Sequence, residues 1–414
     1  MSGAGESRIG RDPATAVATD VYWVMPGPRQ FIETVATAIG DSPSVTLRFP
    51  AIVIAGLTSA VEAALRRAHF ANQQFRWLKI ADPLEVETEI GTCFGERSLM
   101  AEQLVDRTGT IRTIVLEAKS EAAAARCERY VSAFVHAKAG QNSPLEGPRL
   151  LALLPESSDA THAPVPRSER DIVFSGALGP EEMLAYVAVR MSDRTGPGET
   201  GLIRMLVTEF AGFDVQFAEQ LMALPDTDLL GLPNSLSRIA ALDDSRWRAG
   251  RWATGCYVEQ RGRKVRHALY ERYLSRHAGP EQRDAEDWLH RRYWRACVRT
   301  LLPWLEERRA QVIGQLRAPL EAHLKASGGK VVRTIPTGKT FETEIADLEY
   351  NQIAGLVFQE NFRAGASPGH RLAIEVCFAA KHVRDSIAHL RAPKIEKVLD
   401  LTRQMGRLLG EREA

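Results

Sequence analysis

RTIVLEAKSEAAAARCERYVSAFVHA (residues 112–137), followed after a short polar stretch by RLLALLPE (149–156), reads as strand, helix, strand. RTIVLEA is an apolar, β-branched run closed by Glu117, and such a run without polar interruption is the pattern of a buried strand. The segment behind it is built from Ala, Glu and Arg with apolar residues three and four apart, which favours a helix. The same alternation extends towards the N-terminus: DVYWVM (20–25), SVTLRF (44–49) and FRWLKI (75–80) read as strands, with QFIETVATAI and LTSAVEAALRRAHF as the helices between them. Strands alternating with helices predict an α/β domain with a mainly parallel sheet over 20–160. Residues 1–19 have no periodicity and are expected to be a disordered tail.

At 414 residues the chain is long for one core, so two or three domains are expected. With 44% hydrophobic and 25% charged residues its composition is that of an ordinary soluble globular protein. It has no apolar run long enough to span a bilayer and no basic start followed by an apolar core. A cytoplasmic protein without a membrane partner is expected. Cys93, Cys127, Cys256, Cys297 and Cys377 are widely separated, odd in number and without a C-x-x-C pair. That excludes a disulfide framework and a zinc site and leaves reduced core thiols; no metal ligands are assigned. The net charge of +1 is segregated: −10 over residues 1–245, +8 over 246–309 and +3 over 310–414. The middle is therefore the candidate contact for a polyanion, RNA or DNA.

Strand, loop, helix and strand at DVYWVM-PGPRQ-FIETVATAIGD-SPSVTLRFP are how a P-loop NTPase core begins. Within PGPRQF, Gly27 is the single glycine, two prolines lack N–H groups, and Phe31 and Ile32 stand near where Lys and Ser/Thr belong. Arg29 is the one side chain suited to a phosphate, and Glu117 stands where a Walker B carboxylate ends its strand. The element spacing resembles a degenerate member of the STAND or AAA-type NTPases. The resemblance implies Gly27, Arg29 and Glu117 as the remains of a nucleotide site. The missing lysine argues that no cofactor is bound, ATP included; the other reading of Glu117 is a buried strand with an acidic end.

SSDATHAPVPRSER (157–170) is expected to be a loop, DIVFSG (171–176) one more strand, and everything from GPEEMLAYVAVRM onward helical, with breaks at 224–234 and 326–341. Residues 171–325 are expected to form a helical, basic connector. Its arginines interleave with Trp247, Trp252, Trp288, Trp294 and Trp304, the composition of a nucleic-acid surface; the same residues also fit a helix with a buried stripe of Trp288, Tyr293, Trp294 and Leu301 and a solvated arginine face. WRAGRWATGCYVEQRGRKVRHALY (247–270) is similar to the winged-helix-like modules that follow STAND ATPase cores, with CYVEQRGRKVRH as a hairpin before a helix. That similarity implies either a rigid connector or a wing that contacts nucleic acid through Arg261, Arg263, Lys264 and Arg266.

In the last segment, Leu372, Val376, Ala379, Val383, Ile387 and Leu390 recur three or four apart, a single apolar stripe on a helix ended by Pro393. Asp385 and His389 are four apart, where a carboxylate can hold an imidazole tautomer. Arg384 and His389 are five apart, about 140° around the helix. Arg384-Asp385-Ser386-Ile387-Ala388-His389 resembles the Arg-x4-6-His motif of HEPN domains, over a span of about 340–414 that includes the preceding helical segment ETEIADLEYNQIAGLVFQ. The resemblance implies a helical bundle that pairs into a homodimer. It further implies that Arg384, Asp385 and His389 form the site of a metal-independent RNA endonuclease, of the kind found in phage-defence and related conflict systems with partner proteins. A non-catalytic nucleic-acid-binding or assembly scaffold, and an ATPase switch, are the alternatives. The fold expected is thus an α/β N-terminal domain, degenerate P-loop NTPase-like, followed by an all-α C-terminal half ending in a HEPN-like bundle.

Overall fold

A computed structural model describes residues 20–50, 56–68, 74–108, 110–141, 145–164, 170–193, 199–232, 234–239, 244–260, 262–328, 331–334, 340–358 and 360–410. Residues 1–19 and Arg261 lie outside them. The chain divides into two compact units, one of residues 1–186, 211–219 and 240–273, the other of 187–210, 220–239 and 274–414. The segment read as one connector is therefore shared between both.

The first unit is built on five parallel strands, β1 (Ser44–Phe49), β2 (Gln74–Ile80), β3 (Ile111–Ala118), β4 (Arg149–Pro155) and β5 (Asp171–Val173), in the order β2-β3-β4-β1-β5. β1 is buried along its whole length, and β4 over Leu150–Leu154, because helices cover both faces of a parallel sheet. That burial is why four of the strands were readable as apolar runs. Helix α1 (Pro26–Asp41) and helix α2 (Leu57–Ala68) flank β1 in sequence, and α3 (Glu121–Ala139) joins β3 to β4. Ser120 caps α3 by accepting the Ala123 N–H at 3.1 Å. Its face of Ala123, Cys127, Tyr130, Val131 and Phe134 enters a core with Ile114, Leu116, Leu150 and Ala152.

One predicted strand is wrong. DVYWVM is helical over 20–24, and PGPRQF is the first turn of α1, with proline at the position a helix start tolerates. Aromatic and β-branched residues made the segment look extended, but packing decides. The Tyr22 hydroxyl donates to the Gly176 carbonyl at 3.0 Å, and Trp23 and Phe31 both stack on Phe174.

The expected hairpin forms as β6 (Tyr257–Gln260) and β7 (Arg263–Arg266), followed by the helix Ala268–Arg276. In the second unit, α4 (Gln282–Gln315), α5 (Tyr350–Leu356), α6 (Arg371–Ala388) and α7 (Ile395–Leu409) are the principal helices of the C-terminal part. The region is not wholly helical as expected, since β8 (Val331–Thr334) and β9 (Thr340–Thr343) pair within the predicted break. Trp288 and Tyr293 part company on α4: Tyr293 and Leu301 are buried, while Trp288 is 41% exposed. Four of the five cysteines are buried and all five are free thiols. No helix among the described residues is long and apolar enough to cross a membrane.

Candidate functional site

Parallel sheets take ligands at the carboxyl ends of their strands, and in the first unit Glu117 stands there, at the end of β3. Trp77 of β2 donates its indole N–H to Glu117 Oε2 at 2.9 Å, Thr58 near the start of α2 donates its hydroxyl to Oε1 at 3.3 Å, and the Lys119 ammonium pairs with the same carboxylate. Burial works to raise the Glu117 pKa, but the hydrogen bonds from Lys119 and Trp77 outweigh it and hold the carboxyl below the ordinary range.

Gly27 and Arg29 do not join this cluster. The Gly27 N–H donates to the Glu182 carboxylate, which would also collide with a Cβ at position 27, and Arg29 forms an exposed pair with Glu33 at 2.9 Å. PGPRQF, already short of the residues a phosphate loop needs, also lacks the expected strand before it: residues 20–24 are helical, and its glycine donor serves a carboxylate. The segment that follows β1 ends Gly56-Leu57-Thr58, in the positions where a phosphate loop has Gly-Lys-Ser/Thr. Sequence reasoning missed it because its strand is the second apolar run of the chain and the lysine is replaced by Leu57, which is buried. Gly56 has φ 79°, a conformation that favours glycine. With leucine in the lysine position and an internal ammonium on the carboxylate, ATP hydrolysis should stay at background. A turnover that disappears in Glu117→Gln, measured as phosphate release, would contradict this.

On the hairpin, Arg263 lies opposite Gln260, Lys264 opposite Glu259 and Arg266 opposite Tyr257. Period-two alternation puts Lys264 and Arg266 on one face and Arg263 on the other. The Lys264 ammonium sits 3.6 Å from the centroid of the Tyr257 ring. Arg263 and Lys264 are exposed, so the basic residues are divided between two faces rather than joined in one patch.

In the second unit α4 holds both ends of the C-terminal constellation. The Tyr350 hydroxyl donates to the Leu305 carbonyl at 2.9 Å, and Arg309 donates to the Leu348 carbonyl at 3.1 Å, fixing the start of α5. Trp294 donates its indole N–H to the Ile387 carbonyl at 2.9 Å, satisfying an acceptor in the last turn of α6. Glu349, just before α5, thus reaches Arg384 of α6 in an ion pair of 2.6 Å. That hydrogen bond raises the Arg384 pKa above its ordinary value.

The helix ends at Ala388, short of the proline that was expected to stop it. His389 is its C-cap, Leu390 follows at φ 56°, and the turn closes by Leu390 N–H to Ile387 O at 3.1 Å and Arg391 N–H to Ser386 O at 2.9 Å. This is a Schellman turn with leucine where glycine is usual. The Asp385–His389 side-chain hydrogen bond that their spacing allows is not formed among the described residues; His389 is the last residue before the chain turns left-handed at Leu390. The backbone His389 N–H still bonds to Asp385 O at 3.0 Å. The apolar stripe is also corrected: Ala373, Val376, Cys377, Ala380, Val383 and Ile387 are buried, whereas Leu390 is 74% exposed. A left-handed leucine without packing is strained by about 1–2 kcal/mol. Leu390→Gly should consequently stabilise the protein by about 1 kcal/mol in urea unfolding; a loss of that size would refute the turn.

Among the described residues no group of three or more His, Cys, Asp or Glu is placed to hold a metal ion. No family model matches the chain, and no curated protein matches it. Among solved structures, a chain from "Structure of Drosophila ORC bound to AT-rich DNA and Cdc6" is similar at 11% identity, over 99% of this chain and 77% of that one, with a TM-score of 0.29.

Proposed function

We propose that the C-terminal bundle is a metal-independent RNA endonuclease of a phage-defence or related conflict system, regulated by the degenerate NTPase-like unit. One observation carries the reading: Arg384, its guanidinium held by Glu349, and His389, the C-cap residue, both belong to the last turn of α6, which closes in the left-handed Leu390 turn. In RNA the 2′-hydroxyl attacks its own phosphorus once an imidazole takes its proton; the bond to the 5′-oxygen breaks, and that oxygen receives a proton from a second imidazole. Arg384 has N–H groups beyond the one given to Glu349 for the charge that grows on the phosphate. A second copy of the chain supplies the second imidazole, so the active form is a homodimer. Arg384→Ala and His389→Ala, each strongly impaired alone, should regain part of the activity when mixed, since a mixed dimer keeps one guanidinium and one imidazole. A mixture as inactive as its components would overturn the shared site.

A second reading, a nucleic-acid-binding scaffold, is favoured by the exposed Arg263 and Lys264 of the hairpin. Under it, Arg263→Glu with Lys264→Glu should weaken RNA or DNA binding by tenfold or more and lower the slope of log affinity against log salt by about two. Unchanged binding leaves the hairpin as a structural connector.

A further inference from the structure

The exposed Trp288 is not explained by packing, and what surrounds it is cationic. The Arg291 and Arg295 guanidinium carbons lie 5.4 and 5.9 Å from the centroid of its ring. Steps of three and four residues put Trp288, Arg291, Arg295 and Arg299 along one face of α4. One carboxylate, Glu209, faces this row: Arg295 Nε binds one of its oxygens at 2.7 Å and an Arg299 nitrogen the other at 2.9 Å. The buried Arg292 donates to the Glu209 carbonyl at 2.6 Å, so the row is held in place from beneath. Asp284, one turn before Trp288, closes it at the N-terminal end.

We propose that this face is a binding track for single-stranded RNA, in which a base stacks on Trp288 while Arg291, Arg295 and Arg299 meet phosphates. Three arginines against two carboxylates, Glu209 and the terminal Asp284, leave a net positive row that suits a polyanion, and an exposed indole suits unstacked bases, which an acidic peptide lacks. The track rests on the reading of the C-terminal site as an RNA site, and the helix that carries it also contacts α6. Trp294, three residues on from Arg291, bonds to Ile387, two residues before His389.

Binding is best read in full-length His389→Ala protein, so that loss of cleavage and loss of binding stay separate. The probes are a labelled oligouridylate and, in parallel, a labelled polyglutamate peptide, both followed by fluorescence anisotropy. Trp288→Ala should weaken oligouridylate binding by between about fivefold and a hundredfold, and Trp288→Tyr should recover most of it. Arg291→Ala should weaken binding less and lower the salt slope by about one. Thermal melts check that each variant is folded. Equal affinity for Trp288→Ala and its parent would overturn the track, as would polyglutamate binding with the same dependence on Trp288. Oligouridylate binding that needs Trp288 in a protein whose parent never cuts RNA would uphold the track and refute only the nuclease.

Discussion

Replacing Arg48 by methionine should destabilise the sheet-bearing unit by about 3–5 kcal/mol. The Arg48 side chain is 8% exposed on β1, and it reaches Glu128 at 2.8 Å, Glu156 at 3.1 Å and Asp171 at 3.9 Å. Methionine keeps the apolar stem and removes the only cation among these contacts. Glu128 of α3, Glu156 just after β4 and Asp171 of β5 then lose this guanidinium, and the last two are only 18% and 10% exposed. Arg48→Lys should fall between, because one ammonium cannot present the planar fork that contacts all three. Amide hydrogen exchange across β1 and β4 in the full-length protein reads the effect; protection lowered by less than about 1 kcal/mol would mean that the carboxylates are adequately solvated without Arg48.

Arg384→Ala should lower RNA cleavage by about a hundredfold to a thousandfold, the cost of removing one preorganised donor to a developing oxyanion. Glu349→Gln should cost much less, since it loosens the guanidinium without removing it. Asp385→Ala should cost least of the three, because that carboxylate makes no side-chain contact with His389 among the described residues. Single-turnover rates with the same labelled RNA rank the variants. If Asp385→Ala were the most damaging, the imidazole would depend on a carboxylate after all, and the Leu390 turn would have to rearrange on substrate binding.

The sheet was legible because β3 and β4 carry nearly unbroken apolar runs, while β1 alternates Val45, Leu47 and Phe49 with Ser44, Thr46 and the ion-paired Arg48, and β2 and β5 carried weaker versions of the pattern. The helix at 20–24 was not, since Val21, Tyr22, Trp23 and Val24 suit a strand by composition and only their packing against Phe174 and Gly176 shows otherwise. That one misread strand is what made PGPRQF read as a loop between a strand and a helix. In the C-terminal bundle the motif residues could be named from spacing, but the helix end could not. A glycine at 390 would have announced the turn, whereas leucine gives no such signal, so the Asp385–His389 pairing was inferred from a helix that had already ended. Glu349 escaped notice because its partnership with Arg384 joins residues 35 apart in sequence. Trp288 was read together with Tyr293 and Leu301, although its angular position on α4 sets it on the opposite, exposed side.

The most direct test of the nuclease reading compares the parent protein and His389→Ala on labelled single-stranded RNA in EDTA, resolving the product ends. The account predicts cleavage by the parent without added metal, with 2′,3′-cyclic phosphate ends, and none above background by the variant at an unchanged melting temperature. Cleavage by His389→Ala at the parent's rate, or no cleavage by the parent on any single-stranded RNA, would contradict it.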